Sequence, residues 1–178
     1  MTAKECIKGR RSIRAFSQES VPHELISEIV ETASYAPSWK HTQIVRYIAV
    51  EGELKDKIAA CTSAYARNGE IIAAAPMVIV VTIIKGRSGF ERDGSCSTHR
   101  GEGWQMFDAG VASEAFCLAA YEKGLGTVIM GIFDDDKVAE VLVLPEGRDV
   151  IALIPVGFPA EARVAPRRKP IEEMVTFK

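Results

Sequence analysis

Pro76-Met-Val-Ile-Val-Val-Thr-Ile-Ile84 is a continuous apolar run in which β-branched residues predominate. A run of this length is typical of a strand that is buried on both faces, because a half-exposed strand alternates apolar and polar residues. The apolar stretch that contains it, from Ala73 to Ile84, is shorter than a membrane span and is interrupted by Pro76 and Thr82. We therefore predict a central strand of a folded domain, with packed structure on both of its faces.

Helices and further strands are predicted on both sides of this strand. Apolar residues recur at helical spacing in five segments: Thr2 to Gly9, Val21 to Pro37, Glu53 to Ala66, Trp104 to Lys123 and Asp134 to Leu142. Three more segments are predicted strands: Ile44 to Val50, Thr127 to Met130 and Asp149 to Phe158. Thr2 and Glu5 have the spacing of a capping box. Strands separated by helices indicate a small sheet in a three-layer α+β or α/β arrangement.

The composition is typical of one globular domain spanning residues 1–178. The chain holds 22 Lys and Arg against 24 Asp and Glu, and this net charge of −2 disfavours a general nucleic-acid binder. The amino terminus has no apolar stretch of the kind found in secretion signals, and the four cysteines lack paired spacing. We therefore expect a cytoplasmic protein with reduced thiols, and no membrane or nucleic-acid partner.

Two glycine-containing segments invite a nucleotide-binding interpretation that their sequences do not fit. In Gly124 to Gly131 a helix comes first and a strand second, which reverses the order of the dinucleotide fingerprint. Gly89 to Ser95 lacks the lysine that a phosphate-binding loop requires. A glycine that ends a helix is the simpler interpretation of Gly124.

Metal binding and nucleophilic catalysis also lack support. The three histidines are far apart, and Cys96 with His99 forms one weak pair without a second pair at zinc spacing. Ser38 and His41 have the residue types of a nucleophile and a base, but no nucleophile elbow surrounds Ser38. We expect neither a metal site nor a hydrolase.

Basic clusters near the two ends of the chain are the most informative feature. Arg10-Arg11-Ser12-Ile13-Arg14 directly follows the first predicted helix, so its donor groups lie together at a helix exit. Arginine forks and serine hydroxyls match the oxygens of a phosphate, although a solvated basic turn is the alternative. Arg163 and Arg167 to Lys169 form the second cluster, in a proline-containing tail that begins at Pro159. The two clusters suit a small anion.

Six features in order along the chain resemble the nitroreductase family of FMN-dependent oxidoreductases. They are Arg10 to Arg14; Val21-Pro22 at a helix start; Ala36-Pro37-Ser38 followed by Gln43; Gly124-Leu-Gly126 with Gly131 after it; Pro155 to Pro159; and Arg168 to Glu173. Together they cover nearly the whole chain in the family's order.

The resemblance implies an α+β three-layer sandwich, with a small mixed sheet flanked by helices, that forms a homodimer. Two clefts at the subunit interface would each hold one FMN, and a carboxy-terminal arm, about residues 159–178, would swap onto the partner. NADH or NADPH would reduce the flavin in a ping-pong cycle, and a small electrophilic acceptor such as a nitroaromatic or a quinone would reoxidise it. No catalytic side chain is expected, since the flavin carries the chemistry.

The resemblance also assigns cofactor-binding residues. Arg10 and Ser12, with Arg11 beside them, would contact the phosphate and ribityl end of FMN, and Arg167 and Arg168 would return to the phosphate from the tail. The remaining contacts would come from Arg14 at the pyrimidine edge, from the backbone of Ile129, Met130 and Gly131 along the ring, and from Pro37, Ser38 and Gln43 of the partner subunit.

One position departs from the family pattern, and the function keeps alternatives. His41 stands where the family usually has asparagine; its imidazole can still donate a hydrogen bond, and its charge would vary with pH. The leading hypothesis is an FMN-dependent NAD(P)H oxidoreductase. A flavin-binding or storage module without efficient turnover is the second, and a small-anion or nucleic-acid binder is the third.

Overall fold

Four strands form a single sheet in the computed structural model, which describes residues 1–178. The strands are β1 (Val45–Val50), β2 (Met77–Ile84), β3 (Gly126–Thr127) and β4 (Arg148–Gly157), in the order β1-β2-β4-β3. All three pairings are antiparallel, so the prediction of a mixed sheet is wrong. The only parallel pairing is an isolated bridge between Ser12 and Thr127.

Six α-helices surround this sheet. They are α1 (Ala3–Gly9), α2 (His23–Ala33), α3 (Gly52–Ala60), α4 (Ala66–Ala74), α5 (Gly103–Glu122) and α6 (Asp135–Val141). The predicted capping box is confirmed, because the Thr2 hydroxyl accepts from the Glu5 N–H while the Glu5 carboxylate accepts from the Thr2 N–H. The Asp134 carboxylate caps α6 by accepting from the Lys137 N–H at 3.1 Å. No helix is both long and apolar enough to cross a membrane.

The segment between β1 and β2 explains the antiparallel pairing. The sequence predicts one helix from Glu53 to Ala66, but in the structure α3 ends at Ala60 and a 3₁₀ turn follows at Ser63–Tyr65. A second helix, α4, begins at Ala66 and was not predicted. The Thr62 hydroxyl donates to the Ala59 carbonyl at 2.7 Å just beyond the end of α3. The helices α3 and α4 pack on each other, and together they bring the chain back to the end of the sheet at which β1 finishes. The next strand, β2, therefore runs antiparallel to β1. One crossover helix would favour parallel strands.

The core occupies both faces of the sheet, as the apolar run predicts. Val78 and Val80 of β2 belong to a cluster with α3, α4 and α6, while Ile79 and Val81 belong to a cluster with α2 and α5. All four side chains are fully buried, and each such burial is worth about 1.5–3 kcal/mol. The predicted three-layer sandwich is therefore confirmed.

The segments outside these layers carry the arginines and the turns that matter for function. Residues 10–14 follow α1 and lie along β3, since the Ile13 N–H donates to the Thr127 carbonyl at 2.9 Å. Residues 38–43 form a turn between α2 and β1, and residues 85–102 form the long loop before α5. The tail beyond Pro159 is exposed, with one 3₁₀ turn at Ile171–Glu173. The swap of this arm onto a partner stays a prediction.

Candidate functional site

The arginine segment lies beside β3, where the Ile13 side chain closely approaches the Gly126 backbone. A Cβ atom on Gly126 would lie 2.7 Å from the Cβ of Ile13, so only glycine permits this contact. Gly124, with a φ of +81°, turns the chain just after α5. The Gly-Leu-Gly segment thus ends a helix and makes room for residues 10–14, in line with its interpretation as a helix stop.

Arg10 and Arg11 present guanidinium groups whose donors are only partly used. The Arg10 Nε lies 3.4 Å from Glu114 Oε1, without the geometry of a hydrogen bond, and it is buried and has no hydrogen-bond partner. The Arg11 Nη1 donates to the Lys8 and Arg10 carbonyls at 2.7 Å, whereas its Nε is also buried and unpartnered. Buried donors without partners are costly, so this pair is suited to an anion that would accept from them.

A recess of about 250 Å³ adjoins these two arginines. Its lining includes Arg10, Arg11, the Gly124–Thr127 segment, Glu161 and Arg163. Glu161 forms an ion pair with Arg163, so its carboxylate is balanced within the tail. The phosphate-binding interpretation of Arg10 and Arg11 therefore rests on a cationic recess with free donors.

A second recess, of about 440 Å³, contains the residues expected at the flavin ring and is called the ring-side recess. Arg14 lines it together with Ile129, Met130 and Gly131, so the structure brings these four predicted residues together. Arg163 lines both recesses and connects them.

Three further residues of the ring-side recess, Tyr65, Arg67 and Asn68, were not predicted from sequence. They lie where α4 begins, and an isolated asparagine or arginine in a helical segment carries no signal of its own. The Asn68 side chain is buried and donates to the Ile132 carbonyl at 3.2 Å. A prediction of α4 as a separate helix would have indicated these residues, because the start of α4 lies at the recess.

The turn at residues 38–43 lies elsewhere in the chain and lines a third recess. Pro37, Ser38 and Gln43 border this space of about 350 Å³, and the Ser38 hydroxyl accepts from the Gln43 N–H at 2.9 Å. Lys40, His41 and Gln43 have φ values of 44°, 57° and 48°, which are rare for residues other than glycine.

Those three residues need external support to stay in the left-handed region, and Asp108 of α5 provides it. Its buried carboxylate accepts from the Trp39 N–H at 3.0 and 3.1 Å and from the Ser88 hydroxyl at 2.5 Å. Ser88 in turn shares a hydrogen bond of 2.6 Å with Thr42. Asp108 and Ser88 were not predicted from sequence.

The long loop packs on the outer side of the same turn. The Trp39 and Trp104 rings have their centroids 4.6 Å apart, and Lys40 Nζ donates to Glu91 at 2.8 Å. The Lys40 ammonium and the Ser97 hydroxyl lower the pKa of Glu91. The lowered pKa means that Glu91 stays ionised, and its pair with Lys40 charged, to a lower pH than an unpaired glutamate would.

His41, Ser12, Arg167 and Arg168 have fewer contacts in this structure than the resemblance implies. The His41 imidazole is exposed, and Ser12 uses its carbonyl to accept from Arg14 Nη1 at 3.3 Å. Arg167 and Arg168 are exposed, form no ion pair and line none of the three recesses. Arg163 of the tail lies at the arginine cluster instead. The roles assigned to these four residues stay predictions.

The cysteines and acidic groups offer no alternative chemistry. All four cysteines are free, and burial raises the pKa of Cys117 to about 11, so its thiol stays protonated at neutral pH. No group of three or more His, Cys, Asp or Glu side chains is placed to hold a metal ion. The donors that stand out are cationic or backbone groups, which bind and orient a ligand rather than attack it.

The fold and the site thus define a class of protein: an α+β sandwich with arginine-lined recesses. Comparison with known proteins identifies the family within that class. The model of the Nitroreductase family matches residues 7–67 and 61–158. A protein of Methanothermobacter thermautotrophicus, named as a candidate NADH dehydrogenase/NAD(P)H nitroreductase, is 31% identical over 90% of this chain and 79% of its own length. The chain belongs to the nitroreductase family.

Two further relatives bear on ligands. An iodotyrosine deiodinase of Nematostella vectensis is 29% identical, over 97% of this chain and 73% of its own length. The crystal structure of a candidate nitroreductase from Desulfovibrio desulfuricans, in complex with FMN, is 28% identical with a TM-score of 0.78, covering 98% of this chain and 95% of that one. The shared fold extends over nearly the whole chain.

Proposed function

We propose that the protein is an FMN-dependent oxidoreductase that accepts a hydride from NADH or NADPH and reduces a small electrophilic acceptor. The observation that carries this proposal is that the buried Nε atoms of Arg10 and Arg11, which lie beside a recess, make no hydrogen bond. They fit the phosphate of FMN, because an anion there would satisfy both donors. Family membership and the FMN complex of the Desulfovibrio relative support the same cofactor.

The residues of the chain would bind and orient the cofactor and the substrates. Arg10, Arg11 and Ser12 would hold the phosphate end, and Arg14 would place positive charge beside the ring. The backbone of Ile129 to Gly131 would fix the ring plane. When bound, the flavin supplies the hydride and electron transfer. The protein's contribution is position, charge and a sheltered surface for each substrate in turn.

A homodimer would complete each site, and the exposed face of α5 supports this arrangement. Met106 and Phe107 are 48% and 61% exposed, and an apolar surface runs from them past Gly110 to Leu118. Exposed apolar patches of this kind are typical of protein interfaces. The same surface adjoins Pro37 at one end and includes Glu114, the neighbour of Arg10, further along.

A two-fold contact through this face would join the separated parts of the site. In a two-fold dimer the same patch on both copies is in contact, so the helices α5 of the two copies can pack antiparallel. The Pro37 end of one copy would then meet the Arg10 end of the other. Pro37, Ser38 and Gln43 would thereby approach the flavin of the partner, as the resemblance implies. The tail arm would cross to the partner in the same assembly.

The cofactor is tested by reconstitution. Purified protein, incubated with FMN and dialysed, should stay yellow and bleach when NADH or NADPH is added without oxygen. Acceptors to be screened are a nitroaromatic, a quinone and 3-iodotyrosine, the last because of the deiodinase relative. Colourless protein that takes up no FMN would contradict the proposal. Bound FMN with no consumption of NAD(P)H by any acceptor would favour a flavin-storage module.

Three variants test how the phosphate is held. Arg10→Ala should weaken FMN binding by about 1.5–3 kcal/mol, the value of a hydrogen bond to a charged group. Arg163→Ala and Arg168→Ala form a matched pair in the tail. Loss of FMN affinity in Arg168→Ala alone would support the assignment by resemblance, whereas loss in Arg163→Ala alone would assign the phosphate contact to the residue that lines the recess.

A further inference from the structure

The ring-side recess has an unbalanced positive charge. Three arginines, Arg14, Arg67 and Arg163, line it, and none of its lining residues is acidic. Arg163 is paired with Glu161, so its charge is balanced within the tail. Arg14 is engaged with the Ser12 carbonyl, and under the proposed function it lies beside the flavin. Arg67 is the cation of the recess that has no other role.

Arg67 is free to bind a ligand. Its side chain is exposed, it takes part in none of the nine ion pairs of the chain, and it makes no side-chain hydrogen bond. An exposed arginine without a partner keeps all five N–H donors available. Its position on the lining of the recess directs that capacity toward whatever approaches the ring.

The start of α4 adds to the same positive potential. Tyr65, Arg67 and Asn68 all line the recess, and they belong to the N-cap and the first turn of this nine-residue helix. No side chain caps the helix, so its first N–H groups lack a side-chain acceptor. The positive end of the helix dipole therefore reinforces the charge of Arg67.

The mouth of the recess also has apolar surface. Ile129 and Ile132 are 46% and 54% exposed, and the Tyr65 side chain is 47% exposed beside them. A flat apolar ring can pack against these side chains while a charged substituent reaches Arg67. The chemistry of the mouth therefore matches a ligand that has an aromatic ring and an anionic group.

We propose that this recess selects a carboxylate-bearing aromatic acceptor and that Arg67 binds the carboxylate. The inference rests on the proposed function, because the acceptor would contact the face of the bound flavin. The diphosphate of NADH carries the same kind of charge and is the other source that Arg67 could recognise. The experiment therefore treats donor and acceptor separately.

Binding is measured first, without turnover. FMN-loaded protein is titrated by calorimetry with 4-nitrobenzoate and with its neutral analogue 4-nitrobenzamide, in the absence of NAD(P)H. The wild type should bind the benzoate about tenfold more tightly than the amide, which corresponds to one charge-assisted hydrogen bond at an exposed group. Arg67→Ala should remove this preference and Arg67→Lys should keep part of it. Lys57→Ala removes an exposed cation of α3 outside the recess and should leave the preference unchanged.

The outcomes separate this inference from the proposed function. Protein that takes up no FMN contradicts the proposed function. Protein that takes up FMN and binds the two compounds equally contradicts the anion site, as does a preference that survives in Arg67→Ala. In steady-state assays kcat/KM for 4-nitrobenzoate should fall about tenfold in Arg67→Ala, with that for NADH unchanged. A fall confined to NADH would assign Arg67 to the donor and overturn the proposal.

Discussion

The Asp108 carboxylate accepts the backbone N–H of Trp39 through both of its oxygens, at 3.0 and 3.1 Å, although the two residues are 69 positions apart. This contact fixes the turn at residues 38–43 to the long helix α5. The turn contains three residues other than glycine with positive φ, so it depends on such external bonds. Because the turn is proposed to reach the flavin of the partner, Asp108 would position a cofactor contact without touching the cofactor.

Asp108→Asn should therefore destabilise the fold and weaken FMN binding. The amide keeps the size of the carboxylate but loses its charge, and it brings two N–H donors into a site where Trp39 and Ser88 both donate. We expect a loss of about 1–3 kcal/mol in the free energy of unfolding. Urea unfolding and an FMN titration measure the two effects. Asp136→Asn, an exposed change on α6, is the matched control, and equal effects in both variants would contradict the role of Asp108.

Gly126→Ala should displace the arginine segment. The added methyl group would lie 2.7 Å from Ile13, closer than carbon atoms approach, so residues 10–14 must shift away from β3. We expect a cost of about 1–3 kcal/mol, in the range of other overpacked sites, together with weaker FMN binding. Gly103→Ala is the control, since its added Cβ would meet its nearest neighbour, Arg100, at an ordinary 3.8 Å. Unchanged FMN affinity in Gly126→Ala would show that the arginine segment does not contribute to FMN binding.

Features of the fold and the site were predictable from the sequence where they depend on residues close together in the chain, and not where they depend on contacts between distant residues. The central strand was predictable because burial on both faces leaves a local apolar pattern. The arginine segment was predictable because its donors are adjacent in the chain. Asp108 was not, since nothing in its helical neighbourhood indicates an acceptor for an N–H 69 positions away. Arg163 was noted in the basic tail, but the residue types there do not distinguish it from Arg167 and Arg168.

The helix α4 was missed for a local reason. Cys61 to Tyr65 contains neither glycine nor proline, so nothing there marks the end of α3. The predicted helix therefore continued to Ala66, where α4 begins, and residues 67–74 were not assigned to a helix. The antiparallel sheet and the position of Arg67 both depend on that interruption. Because α4 was not predicted, the residues at its start that line the recess were not predicted either.

Lys55→Met should show how the two helices of that segment are joined. Lys55 is buried, and its ammonium donates to the Ala73 and Ala75 carbonyls at 2.7 Å, so it caps the end of α4 from α3. Methionine keeps the packing of the stem but leaves both carbonyls without this donor, which should cost about 1–3 kcal/mol. Lys57→Met, on the exposed side of α3, should cost little. Similar urea midpoints for the two variants would argue against the cap.

His23 should give the stability of the fold a defined pH dependence. Its Nε2 lies 2.9 Å from Glu51 Oε2, and this hydrogen bond to Glu51, together with the charge of Glu51, raises the pKa of His23. A raised pKa in the folded state means that the stabilisation is fully present below the unfolded value, about 6.5. It is lost as the pH rises through the folded pKa.

The difference in unfolding free energy between the wild type and Glu51→Gln should therefore be larger at about pH 6 than at about pH 9. Comparing the two proteins at each pH cancels the other titrating groups, and an NMR titration of His23 gives its pKa in each. The substitution should lower that pKa, because the carboxylate that favours the imidazolium is gone. A wild-type His23 that titrates at or below about 6.5, or a stability difference that does not change with pH, would show that this pair contributes nothing in solution.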